Sequence, residues 1–216
     1  MEEKIHQDKL TEMETPIWTL VRAAIKSGKT DDALKLFDEA HRQSENNNNR
    51  LTSFVEQSLT HLAGFGEDEL EKVIRERYYD SVRDWIAEAP SVEDELKKCT
   101  DSQKGHHANF KIIDEPDRYV VIYDPCGTGG KLRRTRSVGT TKKAYPWAFG
   151  KSGVPYYCTH CCIHFETLPT EMRGYPIKIT LIADKPEDPC VHLFYKKPEL
   201  IPEEYFTRIG YKKTIK

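Results

Sequence analysis

Apolar positions recur at helical spacing through the first ninety residues and then alternate, so the chain predicts helices followed by strands. Thr15-Pro16 suits a helix start, and Ile17, Leu20, Val21, Ala24 and Ile25 follow at that spacing until Ser27-Gly28. Thr30-Asp31-Asp32 caps a second helix with Ala33, Leu34, Phe37 and Ala40 on one face. The asparagines at 46–49 predict a loop, because Asn competes for backbone hydrogen bonds. Leu51, Phe54, Val55, Leu59 and Leu62 trace a third stripe, broken by Gly64 and Gly66. Leu70, Val73, Ile74, Tyr78, Val82, Trp85 and Ile86 make a fourth, stopped near Pro90. These stripes read as helix-bundle core. The segment from Trp18 to Arg42 has no second copy at a fixed period, so a solenoid is not expected.

Residues 92–108 are polar and read as a connector. Strands are expected at 110–113, 119–123, 177–183 and 190–195, with turns at 114–117 and 184–189. The first two form a hairpin. The expected fold is α+β: a helical region over 1–91, the connector, and an antiparallel sheet domain over 109–216 with a cysteine-rich insertion. Residues 200–216 read as a short helix and a basic tail.

Composition narrows the class. A chain of 216 residues buries enough surface to fold without disulfides. It is 38% hydrophobic and 31% charged, with mean hydropathy -0.69, yet 10% aromatic content argues against disorder. No run approaches the ~20 apolar residues of a membrane helix, so no membrane partner is expected. The start, Met1-Glu2-Glu3-Lys4-Ile5-His6, lacks an export signal's apolar stretch, so a cytoplasmic location is expected. A net charge of -2 removes the simplest case for nucleic acid. That charge is uneven: residues 1–100 carry 22 acids and 14 bases, the rest 13 and 19. The acidic half can dock a protein partner, or the halves attract each other.

Six cysteines carry the candidate chemistry: Cys99, Cys126, Cys158, Cys161, Cys162 and Cys190. In a reducing compartment, clustered cysteines point to metal or redox chemistry. In Tyr157-Cys158-Thr159-His160-Cys161-Cys162-Ile163-His164, the C-x-x-C pair puts Cys158 and Cys161 on one side of a turn. Cys126 follows the second strand and Cys190 begins the fourth, and those strand ends can lie at one edge of the sheet. Cys126, Cys158, Cys161 and Cys190 thus form a candidate ligand set for zinc or an iron–sulfur cluster. The alternatives are buried reduced thiols and a redox dithiol, the latter lacking its βαβ context. Cys162 is a spare thiol and a candidate nucleophile with His160 as its base. His160 and His164 stand four apart, as a metal pair would on a helix, and His106-His107 is a weaker ligand candidate.

The loop Asp124-Pro125-Cys126-Gly127-Thr128-Gly129-Gly130-Lys131 follows a strand. Gly127, Gly129 and Gly130 with Arg133 and Arg134 can receive an anionic group of a substrate, or the loop can fold around a metal-bound Cys126. It matches neither a Walker loop nor a Rossmann fingerprint. The aromatic stretch over 144–157 can line an apolar pocket or pack as core.

The C-x-x-C segment, the strand over 177–183, and Asp188-Pro189-Cys190 running into Phe194-Tyr195 resemble the bacterial L-2-amino-thiazoline-4-carboxylate hydrolase-like family. The resemblance covers residues 110–196, and Asp188 and Cys190 match the family's closing acidic-x-Cys motif. It implies hydrolytic opening of a small sulfur- and nitrogen-containing ring. The cysteine-rich run and the glycine loop favour a metal-containing branch. The expected function is a cysteine-ligated metalloprotein that hydrolyses a C–N bond of a small anionic substrate. An iron–sulfur electron-transfer or binding module and a structural-zinc interaction protein are the other classes.

Overall fold

The computed structural model describes residue 11 and residues 13–215. The start read above as lacking an export signal, residues 1–6, lies outside them. The described chain is α+β, with helices leading into a four-stranded antiparallel sheet. Among the described residues no helix is long and apolar enough to cross a membrane. The chain divides into two compact units, Met1–Asn48 and Asn49–Lys216. The division therefore falls within the expected helical region rather than at residue 91.

The first unit holds α1, Ile17–Lys26, and the start of α2, Thr30–Ala63. Val21, Ala24, Ala33 and Ala40 are buried, and Trp18 meets Phe37 edge to face at 6.1 Å. Helix α2 runs unbroken through the asparagines at 46–49, which corrects the expected loop. Each Asn costs only about 0.5 kcal/mol in a helix, and a nucleated helix propagates through such residues.

In the second unit α3, Glu67–Glu88, buries Leu70, Ile74, Val82 and Trp85 along one stripe. Acids fill its first turn, and Pro90 follows its end. The expected connector is helix α4, Val92–Gly105. Ser91 caps it, its Oγ accepting from the Asp94 N–H at 3.1 Å, and Cys99 is buried from it. The cap and a short stripe (Val92, Leu96, Cys99) outweigh its polar composition.

Strands β1, Phe110–Asp114, and β2, Arg118–Tyr123, form the expected hairpin. Strand β4, Cys190–Tyr195, pairs with β2, and the shorter β3, Ile179–Leu181, pairs with β4, giving the order β1-β2-β4-β3. The β2–β4 register sets Tyr123 opposite Cys190. Cys126 and Cys190 therefore leave the sheet side by side at one end of its central strands. Val121, Tyr123 and Phe194 pack with Trp85 and Cys99, whereas Val120, Leu193 and Tyr195 pack with Ile201 and Phe206. Both faces of the central strands are thus covered, while β1 is largely exposed.

The cysteine-rich insertion is nearly all helical over residues 156–173. A 3-10 turn, Tyr156–Cys158, runs into α6, Thr159–Cys162, a π turn, Ile163–Thr167, and α7, Leu168–Arg173. The glycine loop ends in α5, Gly129–Thr135, and a last short helix, α8, spans Glu203–Thr207. Glu166 on the π turn is fully buried, pairs with Arg208 at 2.7 Å and accepts the Thr180 N–H at 2.7 Å. Arg208 also donates to the Thr180 carbonyl at 3.1 Å. The free edge of β3 is thereby closed by a buried ion pair.

Candidate functional site

A cavity of about 260 Å³ lies where α3, α4, the glycine loop, the 156–167 segment and the sheet meet. Cys126, Cys158, Cys161 and Cys190 all line it. They come from three segments, with 31 residues between Cys126 and Cys158 and 28 between Cys161 and Cys190. None of the six cysteines forms a disulfide. As placed, no group of three His, Cys, Asp or Glu among the described residues closes into a metal-ligand set. The four thiols surround an open space rather than forming a finished tetrahedron.

Local backbone explains how the sulfurs reach that space. A Cβ on Gly129 would stand 2.7 Å from Cys158 Sγ, and one on Gly130 would stand 3.0 Å from Cys126 Sγ. The glycines let the loop close against two sulfurs, and the Gly130 N–H donates to Cys126 Sγ at 2.9 Å. Backbone N–H groups on a cysteine sulfur stabilise its thiolate form. Gly127 packs against α4 instead: a Cβ there would meet the His106 carbonyl at 2.1 Å.

The thiols differ in acidity. Burial pushes Cys158 well up, and the neighbouring Cys126, Cys161 and Cys190 add to the rise. Burial raises Cys190 to about 11, with Cys126 contributing. Burial also raises Cys126, against the N–H donors of Gly130 and Thr128. For Cys161 burial acts upward, but His160 outweighs it and the thiol is lowered. The His160 Nε2 lies 3.6 Å from Cys161 Sγ. Its Nδ1–H donates to the Tyr157 carbonyl, which fixes the ring. Burial lowers His160, and Cys161 more than reverses it, so its pKa is raised.

His160 therefore serves Cys161, which corrects the expected Cys162–His160 pair. Cys162 is fully buried outside the cavity. Its Sγ accepts from the Phe149 N–H at 3.3 Å and donates to the Pro146 carbonyl at 3.4 Å. Burial pushes this thiol far up, so it is a core residue.

Arg133 and Arg134 are also committed elsewhere, which corrects their expected contact with a substrate anion. Arg133 donates to the Ala183 and Asp184 carbonyls at 2.8 and 3.2 Å. Arg134 donates to the Pro186 and Glu187 carbonyls, both at 2.9 Å, and pairs with Asp124. They fasten the turn that leads into Cys190. The glycine loop is thus built around sulfur.

Sequence reasoning missed much of the cavity wall: Tyr78, Trp85, Gln103, Phe165, Thr180 and His192. His192 is buried, and Lys178 Nζ donates to its Nδ1 at 2.8 Å. An ammonium can only donate, so Nδ1 accepts and the imidazole proton sits on Nε2. His192 thus offers the cavity an N–H and no free lone pair. His164 also lines the cavity, as the four-residue spacing from His160 hinted, and so does His106. In the aromatic stretch over 144–157, Trp147 and Phe149 are core, while Tyr157 reaches the cavity. Compared with family models, curated proteins and solved structures, the chain matches none.

Proposed function

We propose that the protein is a cysteine-ligated metalloprotein whose centre, held by Cys126, Cys158, Cys161 and Cys190, acts on a small molecule in the cavity that these residues line. The observation that carries this reading is the convergence of four thiols from three segments on one cavity. The residues fit such a group: the donor set is soft, two glycines clear space beside two sulfurs, and an N–H already faces Cys126. A closed structural zinc site fits less well, because the sulfurs border about 260 Å³ of space.

Zinc held there would supply Lewis acidity to a C–N or C=N bond, and an iron–sulfur cluster would supply one-electron chemistry. The chain's own groups have separate tasks. His160 lowers the pKa of the Cys161 thiol, and the Gly130 N–H opposes the rise that burial gives Cys126. His192 directs a neutral N–H donor that can stabilise charge developing on a substrate atom. The hydrolytic branch of this proposal follows the family resemblance, and a cytoplasmic location belongs with it.

Anaerobic purification with metal analysis and a visible spectrum tests the proposal. Brown protein with iron and labile sulfide identifies a cluster. Colourless protein with one zinc supports the hydrolytic site or a structural one. Cys158→Ser and Cys190→Ser lose the metal, whereas Cys99→Ser and Cys162→Ser keep it. Wild-type protein without either metal overturns the reading.

A second reading, a protein partner for the acidic half, draws on exposed Trp18, Ile25, Leu34 and Phe37 in the first unit. Phe37→Glu in the full chain would then abolish co-purification of that partner, and unchanged co-purification contradicts it.

A further inference from the structure

Buried charges in this chain are matched, with one exception. Glu95 pairs with Arg173 at 2.6 Å, and Glu166 pairs with Arg208 at 2.7 Å. Glu56 and Glu67 accept N–H and O–H donors on both carboxylate oxygens. Among the described residues Lys178, at 3% exposure, is the one buried lysine or arginine, and no carboxylate there forms an ion pair with it. Its Nζ donates to His192 Nδ1 at 2.8 Å and stands 3.8 Å from the centre of the Phe165 ring. A neutral imidazole and a ring face hold an ammonium in place without neutralising it. A buried cation without an anion is unfavourable, so Lys178 requires a counter-charge. We infer that Lys178 is the internal counter-cation of the thiolate centre, raising the affinity of the four cysteines for their metal without being a ligand itself. The inference rests on the metal site proposed above, and it holds for zinc and for an iron–sulfur cluster alike.

The fold places the charge behind the site. Lys178 immediately precedes β3, and the β3–β4 register sets its neighbour Thr180 opposite His192. His192 follows Cys190 by two residues on β4, on the same face of the strand. Both residues that hold the ammonium, His192 and Phe165, line the cavity that the four thiols line, whereas Lys178 does not. The ammonium thus stands behind the wall rather than in the space. A charge acts across such a distance in a poorly polarisable interior without contact. Its reach extends to the thiols: burial raises Cys161, His160 lowers it most, and Lys178 adds to that lowering. Lys178 also acts on Glu166, but Arg208 already matches that carboxylate. Four thiolates carry more negative charge than zinc(II) or an oxidised cluster core returns, so the loaded centre is an anion. One cation therefore destabilises the metal-free chain and stabilises the loaded one. Removing it should move the two in opposite directions, whereas removing an ordinary packing residue weakens both.

Cobalt(II) titrated anaerobically into the metal-stripped full chain tests this, because its visible absorption reports both occupancy and sulfur ligation. Lys178→Met removes the charge at similar volume, and Lys178→Arg keeps it. Lys178→Met should bind cobalt at least roughly tenfold more weakly than wild type, the scale of one charge acting across several ångströms of protein. Its spectrum at saturation should be unchanged, because all four ligands remain. Its metal-free form should melt at or above the wild-type temperature. Lys178→Arg should bind cobalt more tightly than Lys178→Met. Wild-type affinity in Lys178→Met overturns the inference. So does weaker binding joined to a lower metal-free melting point, which makes Lys178 a packing residue, and so does a folded Lys178→Arg that binds as weakly as Lys178→Met. A wild-type chain that binds no cobalt through sulfur overturns the functional proposal and this inference together, whereas the Lys178 results overturn this inference alone.

Discussion

Glu56 and Glu67 are as buried as the lining of the cysteine cavity, yet all four of their carboxylate oxygens accept hydrogen bonds. Glu67 takes the Lys142 N–H at 2.8 Å and the hydroxyls of Tyr145 and Tyr156 at 2.7 and 2.8 Å. Glu56 takes the Thr60 hydroxyl and the N–H groups of Gly139 and Tyr157 at 2.7, 2.9 and 3.1 Å. These carboxylates pin the 139–157 segment to α2 and α3. Among the residues that line the cavity, by contrast, four buried polar atoms have no partner, and the thiols leave space between them. Burial alone does not separate architecture from function here. Satisfaction does: the saturated cluster holds the fold, whereas the residues around the cavity keep buried polar atoms without partners.

The largest effect should come from breaking the saturated cluster. Glu67→Ala leaves the hydroxyls of buried Tyr156 and half-buried Tyr145, and the Lys142 N–H, without their acceptor. The expected loss is roughly 3 kcal/mol, or about 10 °C in thermal unfolding. A melting point within 2 °C of wild type, on the order of 1 kcal/mol or less, would remove Glu67 from the architecture.

The same carboxylate gives a pH signature. Burial acts to raise the Glu67 pKa, but donation from Tyr145, Lys142 and Tyr156 outweighs it and leaves it below 4.5. A group depressed in the folded state stabilises fully above its unfolded pKa and loses that contribution as pH falls through the folded value. Wild type should therefore lose stability faster than Glu67→Gln below about pH 4.5. Parallel stability curves in acid would contradict this.

A smaller effect is expected at Arg133. Arg133→Gln frees the turn before Cys190 without removing a ligand. Metal should then pass to a competing chelator severalfold faster, with little change in melting point. Unchanged release would show that the turn holds Cys190 without the arginine.

The smallest effect reverses the usual sign. Thr180→Val and Gln103→Leu replace unpaired polar atoms with apolar ones. Each should leave stability unchanged or raise it by up to about 1 kcal/mol, as at sites that trade stability for function. A loss above about 1 kcal/mol, comparable to a broken hydrogen bond, would mean that these atoms are already satisfied.

Much of this is legible in the chain alone. The stripe Leu70, Ile74, Val82 and Trp85 marked α3, and alternation marked β2 and β4. The four cysteines were legible because strand order can be argued from a hairpin and two turns. Helix α4 was masked by its charges, and its capping Ser91 was the overlooked signal. The choice between Cys161 and Cys162 was not legible, because adjacent helical residues differ only in what tertiary packing places beside them. His160 lies beside one, and Phe149 and Pro146 beside the other. Gln103 and Thr180 carry no local pattern at all. They share a cavity only because α4 and β3 pack around it.

The central claim concerns sulfur around a metal, so X-ray absorption at the metal edge of anaerobically isolated protein tests it most directly. The account predicts a first shell dominated by sulfur in wild type and in Cys162→Ser, and a reduced sulfur count or no metal in Cys158→Ser. A first shell of nitrogen and oxygen only, or identical spectra for Cys158→Ser and wild type, would contradict it.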